Sequence, residues 1–559
     1  MDSQERRNLL APELSRWTRE QGPLLRLEGV SKRFGGHSVL SNLDLTVEAG
    51  SSLVVLGRSG SGKSVLLKLM NGLLMPDEGR VVAFGIDTAR ASRAELMQLR
   101  KRTATLFQNY ALFDSMTVLE NVMFPLVENT AMPRATLKQM ALELLELLAI
   151  PHAAQLFPAE LSGGMKKRVS LARAIITNPE CVLFDEPTTG LDPVMIEFVD
   201  DLLIDVQRRF HLTSVIISHD MASAFRLADH LAMLHEGRIS FWGTPDETKA
   251  CEREEVRSFV AIASSRLGDH APQELAHVED AAATPGTRGT PAPAGSDDAH
   301  GALRFEDLPT PDIAPLVVVR DVVKAFGSRT ILHGVSFFVE PRRITTLIGG
   351  SGSGKTVMMK HILGLLRADA GSVSVFGQEL SALSERDLLR LRLRMGMLFQ
   401  SAALFDSMSV QDNLAFPLRE QPGRSLSEEQ IRDRVLDVLE KLRIPDLARK
   451  MPSDVSGGQR KRIGLARAIV ANPDMMIFDE PTTGLDPVMT AYVNDMIVEA
   501  QETFDLTALI VSHDMASTFR ISHKVAMLYQ GRIIAFGTPQ ELLQMEHPRV
   551  REFIYAGSL

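Results

Sequence analysis

Cysteine is scarce in this chain, and long apolar runs are missing. Only Cys181 and Cys251 occur among 559 residues, which excludes a disulfide framework and a zinc site built from four cysteines. No apolar run reaches the ~20 residues that a membrane-spanning helix needs, so the chain is not expected to cross a bilayer. Residues 1–20 are polar and lack an apolar core, so we expect no secretory signal and a cytosolic protein.

An excess of basic charge is also absent. Lys and Arg total 61 against 70 Asp and Glu, which gives a formal net charge of −9 at pH 7. Proteins that bind the phosphate backbone of nucleic acids usually carry a basic surface. The composition therefore argues against a nucleic-acid partner.

One glycine-rich stretch is present twice. It reads Gly-Arg-Ser-Gly-Ser-Gly-Lys-Ser over residues 57–64 and Gly-Gly-Ser-Gly-Ser-Gly-Lys-Thr over residues 349–356. Both copies fit the P-loop pattern G-x-x-x-x-G-K-[ST], and each lies between an apolar run typical of a buried strand and a stretch with helical spacing. Glycines let the backbone wrap phosphate oxygens, and the helix N-terminus favours negative charge. The pattern predicts two phosphate-binding loops.

Fourteen residues of these loops are predicted to contact ATP. We expect each lysine to reach the β- and γ-phosphates and the residue that follows it to bind Mg²⁺. The predicted ATP-binding residues of the loops are Gly57, Ser59, Gly60, Ser61, Gly62, Lys63, Ser64, Gly349, Ser351, Gly352, Ser353, Gly354, Lys355 and Thr356.

The two loops belong to an internal duplication. Lys63 and Lys355 are 292 positions apart, and the twelve residues 184–195 recur without change as residues 478–489. A period of this length is far too long for a solenoid repeat. The sequence therefore predicts two copies of one nucleotide-binding α/β domain.

The predicted boundaries follow from a change in composition. Residues 24–267 and 316–559 are assigned to the two domains, and residues 1–23 form an extension without an assigned function. Residues 268–315 are rich in proline, alanine and glycine, which predicts a disordered linker. A flexible coil of this length spans roughly 35–40 Å, so the two halves can meet face to face.

An apolar strand that ends in two acids is predicted downstream of each loop. Asp185 and Glu186 end the first strand, and Asp479 and Glu480 end the second. An aspartate beside a P-loop can hold Mg²⁺, usually through water, and the next carboxylate can orient or deprotonate the attacking water. An isolated Asp-Glu pair is more often a solvated turn, but its position after a P-loop in both halves favours catalysis.

Two further motifs complete a series that resembles a known family. Ser-Gly-Gly precedes a basic helical stretch at residues 162–164 and 456–458, and Ser-His-Asp follows a strand at residues 218–220 and 512–514. With Asp-Glu-Pro-Thr-Thr-Gly-Leu-Asp between them, the series resembles the ATP-binding cassette (ABC) ATPases over nearly all of both halves. The resemblance implies an α/β P-loop NTPase fold in two copies. Each copy would hold a RecA-like core, an antiparallel β subdomain and a helical subdomain.

The resemblance also implies roles for the remaining motif residues. In that family the signature serine and glycines face the γ-phosphate held by the other domain, and the switch histidine touches the same phosphate. The Q-loop glutamine senses Mg²⁺ and the transport partner. An aromatic ring stacks on adenine. The matching positions are Ser162, Gly163, Gly164, Ser456, Gly457 and Gly458 for the signature, Gln108 and Gln400 for the Q-loop, His219 and His513 for the switch, and Phe34 and Phe326 for the ring. A place in the core is the alternative for the two phenylalanines.

The catalytic and metal-binding predictions combine both lines of argument. Asp192 and Asp486 resemble the aspartates that communicate across an ABC dimer. The predicted catalytic residues are Glu186, Glu480, His219, His513, Gln108 and Gln400. The predicted Mg²⁺ ligands are Ser64, Gln108, Asp185, Thr356, Gln400 and Asp479.

Neither half has lost a motif, so the resemblance implies an internal pseudo-dimer with two composite ATP sites. One site pairs Lys63 with Ser456, and the other pairs Lys355 with Ser162. ATP and Mg²⁺ are the implied cofactors. ATP would close the pseudo-dimer, and hydrolysis would open it.

The segment after each Q-loop glutamine indicates what the ATPase drives. Leu-Phe-Asp-Ser-Met occupies residues 112–116 and 404–408, and Phe-Pro-Leu occupies residues 124–126 and 416–418. This pattern is similar to the ATPase subunit of the Mla phospholipid transporters, although Gln459 and the fusion of two domains depart from it. The resemblance implies phospholipid transport at the cytoplasmic face of a bacterial inner membrane, with a separate permease and an MCE-domain binding protein.

Two other functions are open at this point. A tandem ATPase for sugar or amino-acid import differs from the first interpretation only in the partner-facing segment. Ribosome-associated ABC proteins usually carry a long charged helical linker and read Asp-Glu-Pro-Thr-Asn-His-Leu-Asp. The linker and the Thr-Thr-Gly-Leu-Asp motif of this chain argue against that third class.

Overall fold

A computed structural model describes residues 17–107, 110–264, 302–327, 329–399, 402–421 and 426–555, and these residues form two halves of the same architecture. The strands of the first half are β1 (Leu25–Phe34), β2 (His37–Val47), β3 (Ser52–Leu56), β4 (Glu78–Ala83), β5 (Ile86–Asp87), β6 (Thr103–Leu106), β7 (Cys181–Asp185), β8 (Thr213–Ile217), β9 (His230–His235) and β10 (Arg238–Gly243). Those of the second half are β11 (Val317–Phe326), β12 (Arg329–Val339), β13 (Ile344–Ile348), β14 (Ala370–Val375), β15 (Gln378–Glu379), β16 (Met395–Leu398), β17 (Met475–Asp479), β18 (Thr507–Ser512), β19 (Lys524–Tyr529) and β20 (Arg532–Gly537).

The helices repeat in the same order in both halves. Those of the first half are α1 (Lys63–Met70), α2 (Arg93–Arg102), α3 (Val118–Asn129), α4 (Arg134–Leu147), α5 (Gly163–Ile175), α6 (Pro193–Phe210), α7 (Met221–Leu227), α8 (Pro245–Lys249) and α9 (Glu254–Ser264). Those of the second half are α10 (Lys355–Ile362), α11 (Glu385–Arg392), α12 (Val410–Arg419), α13 (Glu428–Lys441), α14 (Gly457–Ile469), α15 (Pro487–Phe504), α16 (Met515–Ile521), α17 (Pro539–Gln544) and α18 (Pro548–Tyr555).

Each half contains a core sheet and a smaller antiparallel sheet, as predicted. The core sheet of the first half has the order β10-β9-β3-β8-β7-β6, in which all strands but β10 run parallel. The smaller sheet has the order β2-β1-β4-β5. The second half repeats both orders. Three of the predicted motifs therefore follow the carboxyl ends of the adjacent strands β3, β8 and β7, where ligands bind in open parallel sheets.

The P-loop strand is buried on both faces. Val54 and Leu56 belong to one core cluster, whereas Leu53 and Val55 belong to another. Successive side chains of a strand point to opposite faces, so an uninterrupted apolar run serves two cores at once. This is why the run before the P-loop shows no alternation of polar and apolar residues.

The two halves exchange contacts through their C-terminal helices. Helix α9 of the first half lies against α15 of the second half, and α18 of the second half lies against α6 of the first half. Val488 packs against the core cluster that contains Phe259, and Val194 packs against the cluster that contains Phe553. The halves therefore form an interlocked pair.

Both predicted flanking segments include residues that pack on a domain. The Trp17 backbone N–H donates to Glu180 Oε2 at 2.6 Å, which attaches the end of the extension to the first half. Leu303 N donates to Ile533 O and Asp312 N donates to Glu340 Oε1, each at 2.7 Å, so residues 302–315 of the predicted disordered linker are ordered against the second half. The rest of the predicted linker, up to residue 301, lies outside the described residues. The domain boundaries stay a prediction.

Membrane-spanning helices were searched for in the described ranges. None of the helices there combines the length and the apolar composition that crossing a bilayer requires.

Candidate nucleotide-binding site

The P-loops contain glycines at positions where a side chain would be strained. Gly57 lies where an added Cβ would come within 2.5 Å of the Leu234 carbonyl oxygen. Gly62 has a φ of +102° and directly precedes α1. The left-handed conformation is costly for residues with a side chain. Gly354 takes the same place before α10, with a φ of +109°.

Each P-loop lysine is folded into its own loop. Lys63 Nζ donates to Gly57 O at 2.7 Å and to Arg58 O at 2.9 Å, and Lys355 makes the corresponding pair of bonds. Burial lowers the pKa of the Lys63 amine, while the carboxylates of Glu186, Asp486 and Asp185 act in the opposite direction. The amine is thus held by carbonyls at the place from which it would reach a phosphate.

The oxygen atoms beside α1 suit a hard cation. Ser64 Oγ donates to Asp185 Oδ1 at 3.3 Å, which brings together a hydroxyl and a carboxylate that were predicted to bind Mg²⁺. Burial and the neighbouring Glu186 raise the pKa of Asp185. A cation would offset both effects, and oxygen donors of this kind are those that Mg²⁺ prefers. In the second half, burial and Glu480 raise the pKa of Asp479 in the same way.

Both predicted catalytic glutamates are held by a histidine and a threonine, and Glu480 also lies near the P-loop lysine of its own half. In the second half, His513 Nδ1 lies 2.7 Å from Glu480 Oε2, Thr483 Oγ1 donates to the same oxygen at 2.6 Å, and Lys355 Nζ lies 4.0 Å from Oε1. Burial acts to raise the pKa of Glu480, but the hydrogen bond and charge of His513, with Thr483 and Lys355, lower it to about 2. The glutamate is therefore ionised at neutral pH.

In the first half the histidine and the threonine contact different oxygens of the glutamate, at longer distances. His219 Nδ1 lies 3.5 Å from Glu186 Oε1, and Thr189 Oγ1 donates to Glu186 Oε2 at 2.9 Å. The pKa of Glu186 is again lowered, because His219 and Thr189 outweigh the effect of burial. Both glutamates have left-handed backbones, with a φ of +52° at Glu186 and +48° at Glu480.

The signature serines cap the helices that follow them. Ser162 Oγ accepts a hydrogen bond from Met165 N, and Ser456 Oγ accepts one from Gln459 N, each at 3.3 Å. Only the second serine has a reciprocal bond among the described residues, since its own N–H donates to Gln459 Oε1 at 2.9 Å. Both serine side chains stay accessible at a helix N-terminus, which favours an anion.

Two reciprocal hydrogen bonds connect the halves at the P-loops. Ser59 N donates to Asp486 Oδ2 at 3.0 Å, and Ser351 N donates to Asp192 Oδ2 at 2.9 Å. The Asp486 side chain also caps α15 by accepting from Met489 N. The halves are therefore arranged head to tail at these loops.

The signature of each half lies against the helix that begins after the aspartate bonded to the opposite P-loop. A Cβ at Gly458 would meet the Met489 side chain, and one at Gly164 would meet the Met195 side chain. Met489 and Met195 lie three residues after the two aspartates that reach the opposite P-loops. Each aspartate that reaches the opposite P-loop thus caps a helix whose first turn lies against the signature of its own half.

The remaining predicted residues have mixed outcomes. Phe34 and Phe326 are 46% and 49% exposed at the ends of β1 and β11, so the alternative of a core position is wrong. Gln108 and Gln400 lie outside the described residues.

Sequence reasoning missed two buried lysines on the signature helices. Lys167 Nζ donates to the Glu186 carbonyl oxygen at 3.0 Å, and Lys461 Nζ donates to Pro481 O at 2.8 Å. Burial lowers the pKa of each lysine to about 8. These contacts fix the backbone beside both predicted catalytic glutamates. The sequence signal that could have identified them is a lysine at the same position in the basic stretch after each Ser-Gly-Gly motif.

A family model described as ABC transporter matches residues 40–189 and 332–483. The chain is 29% identical over 554 residues to the glutathione import ATP-binding protein GsiA of Pectobacterium atrosepticum. The aligned region covers 92% of this chain and 86% of that protein. It is 37% identical over 262 residues to the probable ribonucleotide transport ATP-binding protein mkl of Mycobacterium bovis, which covers 46% of this chain and 72% of that protein. The solved dimeric structure of the bacterial ABC transporter cassette MJ0796 is similar to 40% of this chain and 98% of that chain, with 31% identity and a TM-score of 0.37.

Proposed function

The chain belongs to the ABC transporter family and is an ATPase, and on that premise we propose that its halves form two composite ATP sites that drive a membrane importer. The reciprocal bonds from Ser59 to Asp486 and from Ser351 to Asp192 carry this proposal. One site would combine Lys63 and Glu186 with Ser456, and the other would combine Lys355 and Glu480 with Ser162. In each site the exposed phenylalanine, Phe34 or Phe326, would stack on adenine.

The residues around the phosphates divide the work of hydrolysis. Lys63 would exchange its two carbonyl partners for phosphate oxygens, and the Ser456 hydroxyl and the N-terminus of α14 would bind the γ-phosphate from the other half. Ser64 and Asp185 would hold Mg²⁺, which neutralises charge on the β- and γ-phosphate oxygens. Catalysis would then depend on positioning and charge stabilisation, as in phosphoryl transfer generally.

The glutamates have an orienting role in this proposal. A general base is most effective when its pKa lies near the working pH, whereas the pKa of Glu480 is about 2. Such a carboxylate orients water well but accepts its proton weakly. We therefore assign Glu480 and Glu186 to holding the attacking water, with His513 and His219 fixing the carboxylates.

The double substitution E186Q/E480Q tests this proposal. Glutamine keeps the shape of the side chain but removes its charge, so ATP should bind and stay trapped while turnover falls by at least about 100-fold. ATPase rate and retention of labelled ATP are the measurements. The matched control is E247Q/E541Q, because these glutamates cap α8 and α17 at equivalent places away from the P-loops. Rapid turnover in E186Q/E480Q would reject the assignment.

The proposed cargo is a small polar solute such as a short peptide. This proposal keeps the tandem importer that the sequence left as an alternative, with a peptide in place of the sugar or amino acid expected there, and the comparisons favour it over phospholipid transport. The support is the GsiA match, which extends over both halves and is named for glutathione import. The proposed location is the cytoplasmic face of a bacterial membrane, where a permease would bind.

Phospholipid transport is the second candidate, and the segment after each Q-loop supports it. Asn121 is fully buried, accepts from Phe113 N and donates to three carbonyls around it, which fixes residues 113–117. The Phe113 and Phe124 ring centroids lie 4.7 Å apart, and Phe113 is 41% exposed. Asn413, Phe405 and Phe416 repeat this arrangement. The motif that resembles Mla ATPases therefore forms an exposed aromatic pair in each half.

Co-purification separates the two candidates. The tagged chain would be isolated from detergent-solubilised membranes, and bound proteins would be identified by mass spectrometry. A permease with a peptide- or solute-binding protein would support the importer, whereas a permease with an MCE-domain protein would support phospholipid transport. The variant F113A/F405A should lose the permease in either case. Ribosomes without a membrane protein would contradict both candidates.

A further inference from the structure

A buried carboxyl group joins the helices that follow two motif loops of the first half, namely the loop of Asp192, which reaches the second P-loop, and the loop of His219, which contacts Glu186. Asp200 lies on α6, which begins next to Asp192, and Ser223 lies on α7, which begins two residues after His219. Asp200 is 1% exposed, and Ser223 Oγ donates to its Oδ2 at 2.6 Å. Its other oxygen, Oδ1, has no hydrogen-bond partner among the described residues.

The second half has an asparagine at the same place. Asn494 is 2% exposed, and its Nδ2 donates to Ser517 Oγ at 2.8 Å. The Ser517 hydroxyl then donates to Asp514 Oδ2 at 2.6 Å. The hydrogen bonds therefore run from Asn494 through Ser517 to Asp514, the residue next to the switch histidine His513.

The hydroxyl of the first half points the other way. Ser223 donates its hydroxyl hydrogen to Asp200, and Asp220 receives only the Ser223 backbone N–H, at 3.0 Å. A carboxylate accepts hydrogen bonds but has none to donate, whereas an amide or a protonated carboxyl group can donate one. The two halves thus differ in the direction of one hydrogen-bond chain.

We propose that Asp200 is a positioning residue whose protonation state sets the direction of the hydrogen bonds through Ser223. It thereby makes the ATP site that contains Lys63 and Glu186 sensitive to pH. Uptake of one proton from water at Oδ2 gives Asp200 a donor, as Asn494 has permanently. The O–H of the protonated carboxyl group then donates to Ser223 Oγ, and the Ser223 hydroxyl is free to donate to Asp220. Loss of the proton reverses both bonds and leaves Asp220 without that donor.

The surroundings of Asp200 place this change in the neutral range. Burial is the largest influence and raises the pKa of Asp200 to about 7, with Asp220 and Asp201 acting in the same direction. The Ser223 hydrogen bond and Arg226 act to lower it. The other ionisable groups on the adjoining cavity, which both halves line, are Glu197, His219, His513 and Asp514.

A series with zero, one and two carboxyl groups tests the proposal. Counted over positions 200 and 494, D200N has no carboxyl group, the natural chain has one at Asp200, and N494D has two. We expect the ratio of kcat at pH 6 to kcat at pH 8 to rise in that order, by roughly two- to fivefold per carboxyl group, which corresponds to one hydrogen bond. KM for ATP should not change with this ratio, because among the described residues the side chains of Asp200 and Asn494 bond to Ser223 and Ser517 and not to the P-loops.

Two outcomes would overturn the proposal, namely equal ratios in D200N and the natural chain, or an unchanged ratio in N494D. Circular dichroism checks that each variant folds, and N494D decides the question if D200N does not fold. S223A should abolish the difference between the natural chain and D200N.

The inference rests on the proposed composite sites, and continued hydrolysis by E186Q/E480Q would show that those sites are wrong. If that variant is inactive and the pH ratios are equal, only the role of Asp200 fails.

Discussion

The signature serines of the two halves are held by different numbers of hydrogen bonds. Ser456 shares a reciprocal pair with Gln459, whereas Met165 offers the N–H of Ser162 no side-chain acceptor. A reciprocal cap fixes the serine backbone before a ligand arrives. The N-terminus of α14 is therefore better prepared for a γ-phosphate than that of α5.

Exchanging these two side chains should change ATP affinity in opposite directions. Losing one capping bond costs about 0.5–1 kcal/mol, so Q459M should weaken one of the two sites about two- to fivefold. M165Q should strengthen the other site by a similar factor. Calorimetric titration of ATP into E186Q/E480Q chains carrying each change is the measurement. Q430M is the control, since it removes an equivalent cap at α13, away from the P-loops, and an equal effect there would refute the explanation.

Asp200 should also make folding stability depend on pH. Its pKa is raised in the folded chain, so the folded state binds the proton more tightly than the unfolded state. Stability is then lost as pH rises from the unfolded pKa, near 4, through the folded pKa of about 7, and the loss is complete above that value.

The substitution D200N should remove this loss. We expect the urea midpoint of D200N to exceed that of the natural chain by a margin that grows from pH 5 to pH 7 and levels off above pH 8. N494D should show the opposite trend, because it adds a second buried carboxyl group. A constant margin at every pH would mean that Asp200 does not titrate in this range.

At single residues, the sequence predicted what motif spacing encodes and missed what the backbone imposes. The carboxylates and histidines came together because each follows a strand of one parallel sheet. The left-handed conformation of Glu186 and the reach of Lys167 to its carbonyl depend on tertiary contacts that spacing does not record. The direction of the Ser223 hydrogen bond needs coordinates as well.

Among the helices, α9 and α18 carry the contacts that interlock the halves. Val256 and Phe259 of α9 are 0% and 3% exposed and belong to a core cluster against which Val488 of the second half packs. Val550 and Phe553 occupy corresponding places on α18. No motif in the sequence marks these two helices, and the half on which each helix packs is set by tertiary contacts.

Truncating the buried ring of α9 should loosen the pair. F259A removes a fully packed aromatic side chain, a change that costs about 3–5 kcal/mol in protein cores. With a protease site inserted in residues 268–301 and cleaved, the natural halves should co-elute in gel filtration, whereas F259A halves should separate at micromolar concentration. F241A is the comparison, because this half-buried ring lies on the edge strand β10. Separation of the natural halves after cleavage would contradict the role of α9.

For the whole molecule, duplication made the architecture predictable, while the differences between the copies required the structure. Two identical motif series implied two domains and a head-to-tail pair, and the sheets repeat as expected. The differences at Met165 and Gln459, or at Asp200 and Asn494, have meaning only once their partners are known.

The head-to-tail arrangement is the central claim, and a cross-link tests it most directly. In a chain with Cys181 and Cys251 replaced by alanine, S59C and D486C should form a disulfide on mild oxidation, because Ser59 N lies 3.0 Å from the Asp486 carboxylate. After cleavage within residues 268–301, the halves should stay joined until a reductant is added, and S351C/D192C should behave alike. The account would be contradicted if the halves separated without reductant in both S59C/D486C and S351C/D192C. It would also be contradicted if S59C/S351C, which places one cysteine in each P-loop, joined the halves equally well.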